Sequence, residues 1–294
     1  MKKHQNNHIQ FLCIRILFLF VKLFPLKFSH WLARRLGSLS FQLLKTRRDL
    51  TLENIRNARK HGFLSFDISD EQITQKIWEN LCLLGLEFAY YKNSVTRIQQ
   101  AVILEGKENL ERVLAKEEGV VLITLHLGNW ELMGMALSLA GFKVNSIAKI
   151  QTNGLFDRYI NDCRRSIGIN PIPKTNFLRP VLEAFKRNES VAFFIDQADN
   201  HQGIPIEMFG RKAMIPRGAA EFALRLEKPV VFVYITRESP YKHSLVISEE
   251  ISLIRSGNYE NDLLNNTAAF ARLIQSVIQR YPEQWLWMHK FWDT

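Results

Sequence analysis

Cysteine is scarce in this chain: 294 residues carry three, Cys13, Cys82 and Cys163, far apart and with no Cys-x-x-Cys pair. An odd, scattered set supplies neither a disulfide framework nor a thiolate zinc site. No Gly-x-Ser-x-Gly turn occurs, which removes the nucleophile elbow of a serine hydrolase. No repeat and no low-complexity segment is visible. Acidic residues are nearly missing from the first sixty positions. Asp49 and Glu53 stand there against 13 Lys+Arg, whereas the rest of the chain holds 26 basic and 27 acidic residues. The formal charge of +10 is therefore the charge of an N-terminal arm on a near-neutral body. Such an arm suits nucleic acid, an anionic membrane surface or an acidic partner. Hydrophobic residues at 47 % and charged residues at 23 % are ordinary for a folded chain and exclude a disordered or collagen-like one. At roughly 100–200 residues per domain the length fits one large domain or two small ones.

The arm's apolar content narrows its partner. Residues 9–26 read IQFLCIRILFLFVKLFPL, interrupted by Arg15 and Lys22, which are seven apart and share one helix face. Residues 9–24 would make a helix about 24 Å long at ~1.5 Å per residue, short of the ~30 Å hydrocarbon core. An interfacial helix fits better. Phe11, Leu12, Phe18 and Leu19 would lie in lipid, with the cations reaching headgroups. A signal peptide led by Lys2 and Lys3 is a second reading, although residues 25–28 offer no small-x-small cleavage site. A core helix is the third. Cations set among Leu, Ile and Phe describe a lipid interface better than a phosphate groove, so nucleic acid is not expected.

Helical patterns fill residues 9–60, with Ser29 expected to cap a second helix. Ser69 and Gln72 form a capping box that opens a helix over 70–91, its apolar face marked by Ile73, Ile77, Leu81, Leu84 and Phe88. From residue 101 the texture changes. β-rich runs at 101–104, 120–125, 144–148, 191–195, 230–236 and 244–248 alternate with helical stretches near 107–117, 130–140, 155–168, 177–188 and 217–227. A last long helix follows over 259–280. Alternation of this kind predicts an α/β fold with a mixed central sheet flanked by helices. The expected division is a helical, basic, membrane-associating region over 1–95 and an α/β catalytic domain over 96–294.

The best candidate site is VVLITLHLGNWELMGMAL. A buried strand runs into His126, and Glu131 follows five residues later. On one continuous helix these two would stand about 140° apart. They meet only if the chain turns between them, and Gly128 and Asn129 are residues for a turn, with Asn129 a good N-cap. The strand end would present His126 at the mouth of a sheet, where α/β ligand sites sit. Glu131 would accept the other imidazole N–H and make His126 a general base. No serine is placed to be its nucleophile, so the base would act on a substrate hydroxyl. Asp196 ends a second strand and either lines the same cleft or caps a turn. Arg164 reads as an anion contact or as a solvated helix charge beside Arg158 and Arg165. His201 reads as loop, and His289 as packed among Trp285, Trp287 and Trp292.

His126 and Glu131 match the H-x(4)-D/E signature of glycerolipid-type acyltransferases, and the chain around them resembles the secondary, late lipid A acyltransferases, the lauroyl/myristoyl transferase family. Further stretches carry the resemblance in order: Arg48 with Asn54, the run Ile147-Ala148-Lys149-Ile150-Gln151-Thr152-Asn153, Arg164, Phe194-Ile195-Asp196-Gln197-Ala198-Asp199, Met208-Phe209-Gly210-Arg211-Lys212-Ala213, and the tail Gln284-Trp285-Leu286-Trp287-Met288-His289-Lys290. The match covers residues 10–292. Lys149 stands where the family has Arg, Ile150 where it has Pro, Phe291 where it has a second terminal Arg, and Ala198 adds one residue to its Asp-Gln-Asp.

The resemblance implies an acyltransferase with α/β/α layers and an N-terminal helical anchor, at the cytoplasmic face of a bacterial inner membrane. It implies acyl carrier protein as acyl donor, a lipid A precursor hydroxyl as acceptor, and no metal or cofactor. His126 and Glu131 would be catalytic, and Asn129, Lys149, Asn153, Arg164, Asp196 and Gln197 would bind substrate. Backbone amides at the helix start, or Arg164, would stabilise the oxyanion. Because Lys lacks the bidentate fork of Arg, another anionic glycolipid or a lysophospholipid stays open as acceptor. A non-catalytic, membrane-docked lipid-binding protein is the rival.

Overall fold

The computed structural model describes residues 2–65, 67–92 and 94–292. Four helices come first: α1 (Lys2–Lys22), α2 (Leu26–Leu43), α3 (Lys45–Lys60) and α4 (Asp70–Tyr91). Then follow α5 (Val95–Ala101), β1 (Val102–Glu105), α6 (Lys107–Leu114), β2 (Val120–Thr124), α7 (Trp130–Leu139), β3 (Val144–Ala148), α8 (Gly154–Ser166), β4 (Ile169–Pro173), α9 (Leu178–Lys186) and β5 (Ser190–Phe194). The chain closes with β6 (Ile204–Met208), β7 (Arg211–Ile215), α10 (Gly218–Arg225), β8 (Val230–Ser239), β9 (Lys242–Glu250), α11 (Tyr259–Arg280) and an irregular tail.

Seven strands form one sheet in the order β1-β9-β8-β2-β5-β3-β4, parallel throughout except at the β8–β9 hairpin. β6 and β7 make a separate antiparallel ribbon. Strand β2 is buried along its whole length. Its side chains alternate: Val121 and Ile123 join one buried cluster, and Val120 and Leu122 join the other, packed against Leu132, Met133 and Met135 of α7. Helices therefore cover both faces, as a mostly parallel sheet demands. The first cluster also holds Ile55 and Ala58 of α3 and Ile73, Ile77 and Trp78 of α4, so these helices share a core with the sheet.

The Ser69–Gln72 capping box is formed in both directions. Three expectations are corrected. The second helix starts at Leu26 behind Pro25, and Ser29 lies inside it, its hydroxyl donating to the Val21 carbonyl at 3.4 Å. Pro25 has no N–H to donate and ends α1 more forcefully than Ser29 could start α2. Ala101 is helical, with the strand beginning at Val102. The strands β4, β6 and β7 were not anticipated, because β4 contains Pro171 and Pro173 and β6 contains Pro205. Proline is tolerated at a sheet edge, which is where β4 lies.

The arm follows the interfacial picture on one face and departs from it on the other. Among the described residues no helix is long and apolar enough to cross a membrane. Phe18 packs on Phe88 and Tyr159, Phe11 meets Tyr159 edge-on, and Val21 is fully buried. Arg15 is half-buried and lies over the Tyr159 ring at 4.8 Å. Leu12 and Leu19 do point out, in a row with Ile9, Ile16 and Leu23, which is 80 % exposed. α1 is thus two-sided: one face is core and the other is bare hydrocarbon. The side chains of Lys2 and Lys3 lie outside the described set.

Candidate active site

β2 and β5 are parallel neighbours paired in register, Thr124 opposite Phe194. Two residues beyond each strand end stand His126 and Asp196, so the register sets them side by side at the carboxyl edge of the sheet. The Asp196 carboxylate accepts from His126 Nδ1 at 2.9 Å and from the His126 backbone N–H at 2.7 Å. The Trp285 indole N–H donates to the same carboxylate at 2.8 Å. Gln197 Nε2 approaches His126 Nδ1 at 3.4 Å. With Nδ1 engaged, Nε2 is the free ring nitrogen. The ring lies between Phe194, at 4.4 Å between centroids, and the edge-on Trp130, at 5.1 Å. Burial by itself would raise the Asp196 carboxyl; the His126 charge and the three N–H donors outweigh it and hold it below the usual carboxylate range.

The carboxylate on the imidazole is therefore Asp196, not Glu131. Glu131 opens α7 facing α8, where it takes a fork from Arg164: Nε to Oε2 at 3.0 Å, and Nη2 to Oε1. Burial would lower the Arg164 guanidinium, and the Glu131 charge reverses this and raises it. The carboxylate nearest in sequence is thus committed to an arginine. The one that serves His126 arrives from a strand 70 residues on.

The other expected residues divide. Lys149 is exposed one residue past β3, on the same carboxyl edge as His126. Asn129 is fully buried, with both ends of its amide engaged. Its Oδ1 caps α7 at Leu132 N, and its Nδ2 donates to Glu87 at 2.8 Å. Asn153 likewise caps α8 through Oδ1 and donates to the Asn7 carbonyl at 2.8 Å. Both asparagines thus hold helix starts at the site.

Sequence reasoning missed the clamp on the turn that carries His126. The tail runs back along it: Gly128 N–H donates to the Gln284 carbonyl at 3.0 Å, and Leu286 N–H to the His126 carbonyl at 3.1 Å. Gln284 is fixed in turn by both backbone groups of Arg237. His289 borders the same region. Its imidazole is pushed down first by burial and then by the charge of His126, with Arg47 and Lys149 adding to the push. The only sequence signal for this clamp was the density of tryptophan in the tail.

Gly128 sits at φ +57°, and a Cβ there would come within 2.5 Å of the Ile235 carbonyl oxygen. Both the left-handed backbone and the contact require glycine. Gly128→Ala is expected to displace the turn carrying His126. Activity should fall by at least about tenfold while the sheet survives, since a misplacement of ~1 Å is enough to cost ~10²-fold. Steady-state rates beside circular dichroism check this, and an unchanged rate would show that the turn tolerates a Cβ.

The family model for bacterial lipid A biosynthesis acyltransferases matches residues 2–294. The chain is 24 % identical to a lipid A biosynthesis palmitoleoyltransferase of Escherichia coli (strain K12), covering 99 % of this chain and 93 % of the relative. It is 28 % identical over 127 residues to a phosphatidylinositol mannoside acyltransferase of Mycobacterium tuberculosis (strain CDC 1551 / Oshkosh), which is 42 % of this chain and 40 % of that one. A site built on a carboxylate-held histidine at a sheet's carboxyl edge, within a match that spans the described chain, leads to one conclusion: the protein is an acyltransferase and belongs to the bacterial lipid A biosynthesis acyltransferase family.

Proposed function

We propose that the protein moves a fatty acyl chain from an acyl carrier protein thioester to a hydroxyl of a lipid A precursor. The observation that carries this reading is the His126–Asp196 pair with Nε2 free. In the reaction His126 Nε2 takes the acceptor's hydroxyl proton as the oxygen attacks the thioester carbonyl carbon. The tetrahedral oxyanion collapses, the C–S bond breaks, and the imidazolium returns the proton to the leaving thiolate. Asp196 fixes the tautomer and stabilises the imidazolium formed between the two steps. Amides that open α7, with the positive charge of Arg164 behind Glu131, favour the oxyanion. Lys149 and Gln197 line the acceptor side. The Lys149 departure, together with the mycobacterial relatives, supports a second acceptor class: another anionic glycolipid.

Residues 1–95 carry the attachment in this reading, at the cytoplasmic face of an inner membrane. The outward row on α1 and the stack Phe24–Phe28–Trp31, which runs from the α1–α2 turn onto α2, face the bilayer. The test is incubation of detergent-extracted protein with acyl carrier protein thioester and candidate lipids, followed by weighing the products. The expected result is a lipid A precursor heavier by one acyl chain. A gain on another glycolipid alone would move the acceptor, and no gain on any lipid would overturn the proposal.

A further inference from the structure

Three helices bring cations together on the flank of the arm. Arg15 of α1 lies over the Tyr159 ring of α8 at 4.8 Å, and Lys92, just past α4, lies 4.3 Å from the centroid of the same ring. Lys92 Nζ also donates to the Tyr159 hydroxyl and stands 3.4 Å from Cys163 Sγ. Lys22 of α1 belongs to the group. It stands seven residues after Arg15 on the same helix and so shares its face, and its ammonium is lowered first by burial and then by the positive charge of Lys92. Among the described residues none of these cations forms an ion pair with a carboxylate. Nearby acids are engaged elsewhere: Asp157 by Gln151 N–H and Asn161, Asp162 by Arg165, and Glu131 by Arg164. Like charges gathered on one flank repel one another, and an anion bound among them relieves that repulsion.

Its position says which anion. Arg15 and Lys22 share a face that borders the bare apolar row Leu12, Ile16, Leu19 and Leu23. An anion bound there has hydrocarbon-compatible surface on one side. On the other side, Cys163 is followed directly on α8 by Arg164, so the cluster adjoins the Glu131–Arg164 pair. We infer that Arg15 and Lys92, arranged around Tyr159, together with Lys22 on the Arg15 face of α1, bind a phosphate group of a lipid. This rests on the reading above only in taking the working surface to be lipid. The phosphate comes either from the acceptor or from a phospholipid of the bilayer.

The two sources are separable. Arg15→Gln/Lys22→Gln is compared with Lys107→Gln/Arg179→Gln, which removes two charges from α6 and α9, and with the charge-keeping Arg15→Lys/Lys22→Arg. One arm sediments each protein with vesicles of phosphatidylcholine alone or mixed with phosphatidylglycerol. The other measures KM in neutral detergent for an acceptor carrying phosphates and for the same acceptor dephosphorylated. With each cation near a lipid surface contributing at the usual strength, the loss should be about tenfold or more. If the glutamine variant alone loses binding to phosphatidylglycerol vesicles, the site takes a bilayer phospholipid. If it alone raises KM for the phosphorylated acceptor, the site takes the acceptor's phosphate. In either case the charge-keeping variant should recover. If the glutamine variant matches wild type in both arms, or falls no further than the α6/α9 control, the site is overturned. A wild-type protein that transfers no acyl chain fails the proposed function, while the vesicle arm still decides the phosphate site.

Discussion

His126→Ala is expected to lower turnover by about 10²–10⁴, the share that a positioned general base supplies. The residue follows a strand end, and without its ring the Asp196 carboxylate still accepts from the backbone N–H at 126 and the Trp285 indole, so circular dichroism should still report a folded sheet. Asp196→Asn should come close to the same loss. The amide keeps the shape but not the charge that steadies the imidazolium, and one of its two ends can no longer accept from the three N–H donors now bound. Because Asp196 is held below the usual carboxylate range, it stays ionised through mildly acidic pH. Glu131→Gln tests a different function. It leaves the His126–Asp196 pair intact and weakens the grip on Arg164, so a defect there without the dyad's would assign Glu131 to charge placement. Near-normal turnover in the His126 variant would end the mechanism.

Glu87→Ala is expected to cost about 3–5 kcal/mol of stability, the usual result of breaking a buried ion pair from one side. Glu87 is 1 % exposed. It accepts a fork from Arg237, with Nη2 to Oε2 at 2.9 Å, and it also accepts from Asn129. His30 Nε2 lies 3.0 Å away and His243 Nε2 3.7 Å. Removing the carboxylate leaves a guanidinium buried without its partner and loosens the cap on α7. Urea unfolding with an unchanged slope would measure the loss.

The same network sets an acid limit. Burial alone would raise the Glu87 carboxyl, but Arg237 and the two histidines hold it well below the usual range. Its contribution is full above the unfolded value of about 4.3 and is lost as pH falls through the lower folded one. His243 is depressed mainly by burial. Below about pH 6.5 the unfolded imidazole takes a proton that the folded one resists, so stability declines there first. A flat stability between pH 7 and 5 would contradict this, and replacing His243 by an uncharged residue should lessen the decline, the part that remains coming from His289, which burial also depresses.

Much of the frame was legible because it depends on short-range pattern. β3 and α11 fall on the expected residues, and α4 opens at the box that Ser69 and Gln72 spell out. β4 was hidden by its two prolines, which only an edge position permits. The partner of His126 was hidden for a different reason. A reading along the chain offers the closest carboxylate, Glu131. Which carboxylate meets the ring depends on β2–β5 register, a property of two strands whose pairing no local pattern reports. Asp196 was visible as a strand-end residue, but its role was not. The arm was legible as apolar and basic, yet not as two-sided, because Phe18 and Leu19 are equally apolar and differ only in what they meet.

The tail's grip on the His126 turn also bears on when during synthesis the enzyme becomes competent. The last strand of the sheet is finished at Glu250, yet the turn still lacks the carbonyl of Gln284, the amide of Leu286 and the indole that anchors Asp196. A nascent chain stopped before Gln284 can pair His126 with Asp196 but lacks the tail's three hydrogen bonds to them and to Gly128. On the proposed mechanism the site is therefore complete only once residues 284–286 are in place.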